Sequence, residues 1–130
     1  EGVTGHTEAP AFFRRGGKVY LLGSETSGWK PNAARMFVAD RFAGPYEELP
    51  NPCHGVNPIN QLGPDKTFGG QSTFVYPFAG RKDAWIAMFD INKPEDPINA
   101  GYIWLPVEFE ADRPVIRWRD TWDLSVFSKP

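Results

Sequence analysis

The chain has a single cysteine, Cys53, so no disulfide can close within it and no cysteine-rich zinc site can be built. Histidine is almost as scarce. His6 lies beside Glu8 and His54 in a long loop, but no spacing of carboxylates supports a metal site, so no metal and no cofactor are expected. Basic residues form no cluster: 14 Lys and Arg stand against 16 Asp and Glu, for a net charge of -2. A phosphate backbone would find nothing to hold, and nucleic acid is not an expected partner. No run approaches the roughly eighteen apolar residues of a membrane helix, so no membrane partner is expected either. Ser-His-Asp order and a glycine-rich phosphate loop are also missing. The chain opens at Glu1 rather than at a methionine, and it reads as a segment of a longer protein.

What is present is enough apolar material for one packed domain: 130 residues, 41% hydrophobic and 15% aromatic. Thirteen prolines and thirteen glycines cut it into pieces of strand length. No helix-length stretch keeps a 3.6-residue apolar period between them, so the composition predicts an all-β fold. Gly16-Gly17 can both take positive φ, as a two-residue primed turn requires. They make Ala11 to Arg15 and Lys18 to Leu22 an antiparallel pair. Pro10 lacks an amide hydrogen and suits the first residue of that strand, which would leave Glu8 at its mouth. Ala34 to Asp40 and a short outer strand, Tyr46 to Leu49, complete a four-strand meander. Residues 50 to 68, broken by Pro52, Pro58 and Pro64, then predict a long irregular surface connection.

The second half repeats the first at a spacing of 63 residues, from Glu8 to Gln71. Strands are predicted at Gln71 to Tyr76, Ala84 to Phe89, Tyr102 to Phe109 and Arg113 to Trp118. Radially repeated four-stranded antiparallel sheets are propeller blades, here over about 8–49 and 70–118 of a single unit, 1–130. Two blades cannot close a ring, so further blades of the same protein or self-association are expected to cover their flanks. A two-sheet sandwich is the weaker alternative.

Equivalent positions of successive blades face one axis, so Glu8 and Gln71 are expected to open onto a shared pocket. A carboxyl that transfers a proton and a bifunctional amide suit a hydroxylated ligand. Trp29, with Thr26 and Asn32 in the loop at the same end, resembles a sugar subsite: an indole face stacks on pyranose C–H groups while hydroxyls and amides take the O–H groups. A tryptophan capping the blade core is an equally good reading of Trp29. Trp85, Trp104, Trp118 and Trp122 lie on or beside strands and are assigned to packing.

Glu8-Ala9-Pro10, Gly28-Trp29-Lys30-Pro31-Asn32-Ala33, Phe68-Gly69-Gly70-Gln71-Ser72-Thr73-Phe74, Tyr102-Ile103-Trp104-Leu105-Pro106-Val107-Glu108-Phe109 and Trp122-Asp123-Leu124 together resemble glycoside hydrolase family 43. The similarity is to its exo-β-1,3-galactanase branch. That resemblance implies the fourth and fifth blades of a five-bladed β-propeller, and a secreted or periplasmic glycosidase that inverts the anomeric centre of an oligosaccharide or polysaccharide. It implies that Glu8 is the general acid and that Gln71 helps place the attacking water. The base and pKa-tuning aspartates of the family have no counterpart in these residues. The sequence departs from the branch at Glu25, where a cysteine is usual. The acid of such an enzyme must keep its proton until it is needed, and Phe12 and Phe74 are expected to wall it. A carbohydrate-binding fragment without catalysis is the runner-up, ahead of a purely structural propeller.

Overall fold

The structure is a computed structural model that describes residues 1–130. It is all-β, with two sheets joined by a long connection. The first sheet holds β1 (Thr7–Arg15), β2 (Lys18–Glu25), β3 (Ala34–Ala39) and β4 (Glu47–Leu49) in meander order. Gly16 and Gly17 turn β1 into β2 with φ of 57° and 79°, a conformation that side-chain-bearing residues rarely adopt. The second sheet has five strands where four were expected. β6 (Gln71–Pro77), β7 (Trp85–Ile91), β8 (Gly101–Glu110) and β9 (Arg113–Arg117) form the meander. β5 (Cys53–His54) then adds in parallel to the outer edge of β9.

That fifth strand revises the reading of residues 50–68. The connection is not a structureless surface loop: besides β5 it carries a 3-10 turn over Pro64–Gly69. It also sends Cys53, Asn57, Thr67 and Phe68 into the interior. Asparagine amides replace the ladder that prolines deny. Asn57 and Asn60 both donate to the Phe68 carbonyl, at 3.1 and 2.9 Å. Burial pushes the Cys53 thiol up to about 12, which leaves it an inert apolar residue.

The two sheets share one core, because alternate residues of each strand point to the seam. Ala11, Phe13, Tyr20, Leu22, Ala34 and Met36 from the first sheet meet Val75, Ala87, Phe89, Ile103, Leu105, Val107 and Ile116 from the second. Each fully buried aromatic in this set contributes about 1.5–3 kcal/mol of hydrophobic stabilisation. At the far end of β1 from Glu8, Arg15 pins the sheets together. It reaches Asp83 and Asp112, each at 3.3 Å, and lies 4.0 Å above the Phe109 ring.

The outer faces differ. On the first sheet Val19, Leu21, Phe37, Ala39 and Tyr46 form a second buried cluster. The segment after β3 folds back over it, with the Tyr46 hydroxyl donating to the Phe42 carbonyl. On the second sheet Phe74, Tyr76, Tyr102 and Trp104 stand exposed on one face. Trp85 and Trp118 pack on the core as expected, but Trp104 does not: it is 55% exposed on that open face. No helix is long and apolar enough to cross a membrane.

Candidate active site

Glu8 and Gln71 meet at the top of the seam, where β1 and β6 run closest. The Gln71 amide nitrogen donates to Glu8 Oε1 at 3.0 Å, and one residue further on Ser72 Oγ donates to the Ala9 carbonyl at 2.7 Å. Both contacts join residues exactly one 63-residue repeat apart.

Matching β-bulges set this geometry. From Glu8 to Ala11 the chain takes three steps while its partner moves two, from Ser24 to Leu22. From Ser72 to Phe74 it takes two steps against one, from Phe89 to Met88. Each inner strand thus carries one extra residue at the same place, and such bulges re-aim the side chains beside them. The hairpin therefore begins at Thr7 and not at Pro10. Pro10 sits inside the strand, in the bulge behind Ala9 (φ 53°), where the ladder needs no donor. Glu8 is an in-register strand residue, firmer than one at the strand mouth. Gly23 makes room for it, since a Cβ there would lie 2.9 Å from Thr7 Cγ2 and 3.1 Å from the Glu8 carbonyl oxygen.

The second hydrogen of the Gln71 amide goes to Ser24 Oγ, at 2.9 Å. Ser24 is buried and lies opposite Glu8 in the ladder. With both N–H groups engaged, Gln71 Oε1 is the atom left to face a ligand, and it can only accept. Glu8 Oε1 receives an N–H, which leaves Oε2 as the oxygen to carry a proton. Ser24 was not anticipated. Counting back from the Gly16-Gly17 turn, where Arg15 faces Lys18, puts Glu25 opposite Glu8, and only the bulge slides Ser24 into that place.

Trp29 does not cap the core. It is 72% exposed, and with Glu8, Ala9, Gly28 and Gln71 it borders an open pocket. Its loop is held from below. Asn32 accepts from Glu25 N–H (3.1 Å) and donates to the Glu25 carbonyl (2.9 Å) and Ser27 Oγ (2.6 Å). Thr67, in the left-handed region at φ 47°, donates to the Asn32 carbonyl at 2.6 Å. Asn32 therefore lies near Trp29 with its amide already committed to the loop. Thr26 is placed apart, in a shallow depression with Thr4, Gly5, His6, Glu25 and Arg35. Phe12 and Phe74 do not wall Glu8. Phe12 packs on Phe42, ring centroids 4.7 Å apart, and Phe74 lies half exposed on the outer face, because the alternation of their strands turns both away from the seam. Asp90 faces Gln71 across β6 and β7, and with Asn92 it lines a second cleft beyond Trp29. The repeat stops short of both, and no motif singles them out.

A carboxyl and an oriented amide thus stand beside an open indole at one end of an all-β seam. No protein-family model matches the chain, and no curated protein matches it. Solved structures do. A family 43 β-1,3-galactosidase with galactodeoxynojirimycin is 40% identical over 91% of this chain and 32% of its own, with a TM-score of 0.82. A second family 43 β-1,3-galactosidase is 32% identical over 93% and 24%, at 0.80. The exo-β-1,3-galactanase of Phanerochaete chrysosporium with β-1,3-galactotriose is 27% identical over 85% and 23%, at 0.69. The chain belongs to glycoside hydrolase family 43. It spans about a third of the length of the first of these relatives.

Proposed function

We propose that the chain is the acid-bearing part of a glycoside hydrolase that removes β-1,3-linked galactosyl units, with inversion, from an oligosaccharide or polysaccharide. The observation that carries this is the Gln71–Glu8 contact at the rim of the Trp29 pocket. The Glu8 carboxyl, protonated on Oε2, gives its proton to the glycosidic oxygen as the bond to the anomeric carbon breaks. Gln71 Oε1, fixed by the two donations of its own amide, accepts a hydrogen bond from a water and holds it for attack on the opposite face, and the proton the water sheds as its bond to the anomeric carbon forms goes to solvent or to a group outside these residues. Trp29 offers its ring to the apolar face of the sugar, while Asn32 braces the loop that carries it and Thr26 stands outside the subsite. The names of the relatives support the sugar: one is a β-1,3-galactosidase with galactodeoxynojirimycin, another an exo-β-1,3-galactanase with β-1,3-galactotriose.

In this proposal the two sheets are consecutive blades of a five-bladed propeller, its C-terminal part. The exposed face of Phe74, Tyr76, Tyr102 and Trp104 then meets another blade of the same protein, and a secreted or periplasmic location follows from the substrate. Proton NMR of the full-length protein digesting β-1,3-galactan tests the function and its stereochemistry together. The first galactose released is expected as the α anomer, and β-galactose appearing first, or no release, would contradict the proposal.

A further inference from the structure

The Trp29 ring stands open to solvent, so its position at the Glu8 pocket is set by the loop that carries it and not by packing. Two ties hold that loop. The Asn32 side chain fastens it to the end of β2, and the Asn32 carbonyl accepts from Thr67 Oγ. Thr67 belongs to the long connection between the sheets, which runs on through Gly69 and Gly70 straight into Gln71.

The turn that presents Thr67 is strained. Thr67 (φ 47°, ψ 43°) and Phe68 (φ 58°, ψ 15°) are successive residues in the left-handed region, and a β-branched threonine is poorly suited to it. Its surroundings over-determine that conformation. Phe68 is buried against Trp118, ring centroids 5.5 Å apart, and its carbonyl takes the Asn57 and Asn60 amides. The oxygens of those amides are engaged as well: Asn57 Oδ1 accepts from the Ile59 N–H at 3.0 Å, and Asn60 Oδ1 from the Leu62 N–H at 2.9 Å. Gly69 follows at φ 95°, where a side chain would collide with the Asn60 amide. Glycine at position 67 would make the same turn with little strain. What threonine adds is a hydroxyl, and that hydroxyl, on a residue only 2% exposed, is spent on the Asn32 carbonyl at 2.6 Å. Strain that the fold holds in place at the edge of a site is the mark of a positioning element.

We propose that Thr67 is a positioning residue: through the Asn32 carbonyl it fixes where the Trp29 ring stands relative to Gln71, and the connection is folded to hold its hydroxyl there. The inference rests on the sugar-binding reading of Trp29.

The test uses the full-length protein as wild type, as Thr67→Val, which removes the hydroxyl at nearly constant shape, and as Thr67→Ser, which keeps it. Deuterium exchange over residues 25–33 reads the loop directly, because Asn32 Oδ1 protects the Glu25 amide and the Ser27 carbonyl protects that of Lys30. Thr67→Val is expected to speed this exchange about fivefold, the scale of one neutral hydrogen bond, and to leave exchange in β7 unchanged. On β-1,3-galactobiose its KM is expected to rise by a similar factor with kcat within about twofold, since the ring binds sugar while Glu8 and Gln71 keep their own contacts. Thr67→Ser restores both readouts. Added to Trp29→Ala, Thr67→Val raises KM no further, because the ring through which it acts is gone. Where Thr67→Val does not fold, Thr67→Ala, which carries no β-branch, takes its place. Unchanged exchange over 25–33, a loss confined to kcat, or a KM rise that persists beside Trp29→Ala would overturn the proposal. Faster exchange together with a KM that Trp29→Ala does not change would leave the hold of Thr67 on the loop standing and overturn the sugar reading of Trp29. Without measurable hydrolysis the proposed activity falls, and the exchange alone decides the hold.

Discussion

Gln71 owes its orientation to two acceptors, and Ser24 is the one with no chemistry of its own. Removing it with Ser24→Ala frees one amide hydrogen, a loss of about 1 kcal/mol for a neutral hydrogen bond. In the full-length enzyme kcat is expected to fall about fivefold with KM little changed, because the contact sets where the water sits and not how the sugar binds. Ser24→Thr, which keeps the hydroxyl, restores much of the rate. A rise in KM at unchanged kcat would show that Ser24 serves binding instead. At this scale the sequence was legible where the repeat reached. Glu8 and Gln71 occupy equivalent places 63 residues apart, and they touch. It was silent on Ser24, since a one-residue bulge changes what faces Glu8 and leaves no compositional trace. It was silent on Asp90 because a carboxylate at a strand end looks like any solvated one.

The elements were more legible than their edges. The Gly16-Gly17 pair and strand-length apolar runs announced the first meander, and the 63-residue repeat carried the same plan to the second. The parallel pairing of β5 with β9 is not local: Cys53 and Ile116 are brought opposite by the whole second sheet, so nothing near Cys53 could announce it. A proline fits a bulge as well as a strand's first residue, because neither needs its missing donor, so Pro10 alone could not tell the two apart. The short β4 is secured by Arg35 on β3, whose Nε and Nη2 grip Glu48 at 2.8 and 2.9 Å. Its Nη1 reaches Thr4 and Thr7, tying the approach to Glu8 into the same knot. Hydrogen bonding to Arg35 holds the Glu48 carboxyl below its ordinary 4.5. A lowered carboxyl stabilises the fold above its ordinary value, and that stabilisation is lost as pH falls through the folded one. Glu48 is 43% exposed, so Glu48→Gln is expected to cost at most about 1 kcal/mol at pH 7. In thermal melts of the two proteins the gap should shrink below pH 4.5 and close in stronger acid. A gap that holds constant down to strong acid would mean that the pair contributes through packing alone.

For the molecule as a whole, the contrast between its two outer faces is the main architectural result. One sheet covers its apolar outer face with the segment after β3, whereas the other presents Phe74, Tyr76, Tyr102 and Trp104 to solvent. An exposed aromatic face of this extent marks a contact surface, and the proposed neighbouring blade is what fits it. The sequence did not show those residues as a set: Phe74 was expected to wall Glu8 and Trp104 to pack on the core, and both are half exposed instead. Which face would stay open depended on how the loops fold back, and that is a tertiary matter.

The central claim is that Glu8 moves a proton and Gln71 places a water. It is tested most directly by Glu8→Gln and Gln71→Ala in the full-length enzyme, each assayed on β-1,3-galactobiose and on an aryl β-galactoside whose phenolate departs without protonation. Glu8→Gln is predicted to slow the disaccharide by about 100-fold or more, the usual contribution of a general acid, and the aryl galactoside far less. Gln71→Ala is predicted to slow both substrates alike, since the water must be placed whichever group leaves. Equal losses on the two substrates for Glu8→Gln would contradict the account.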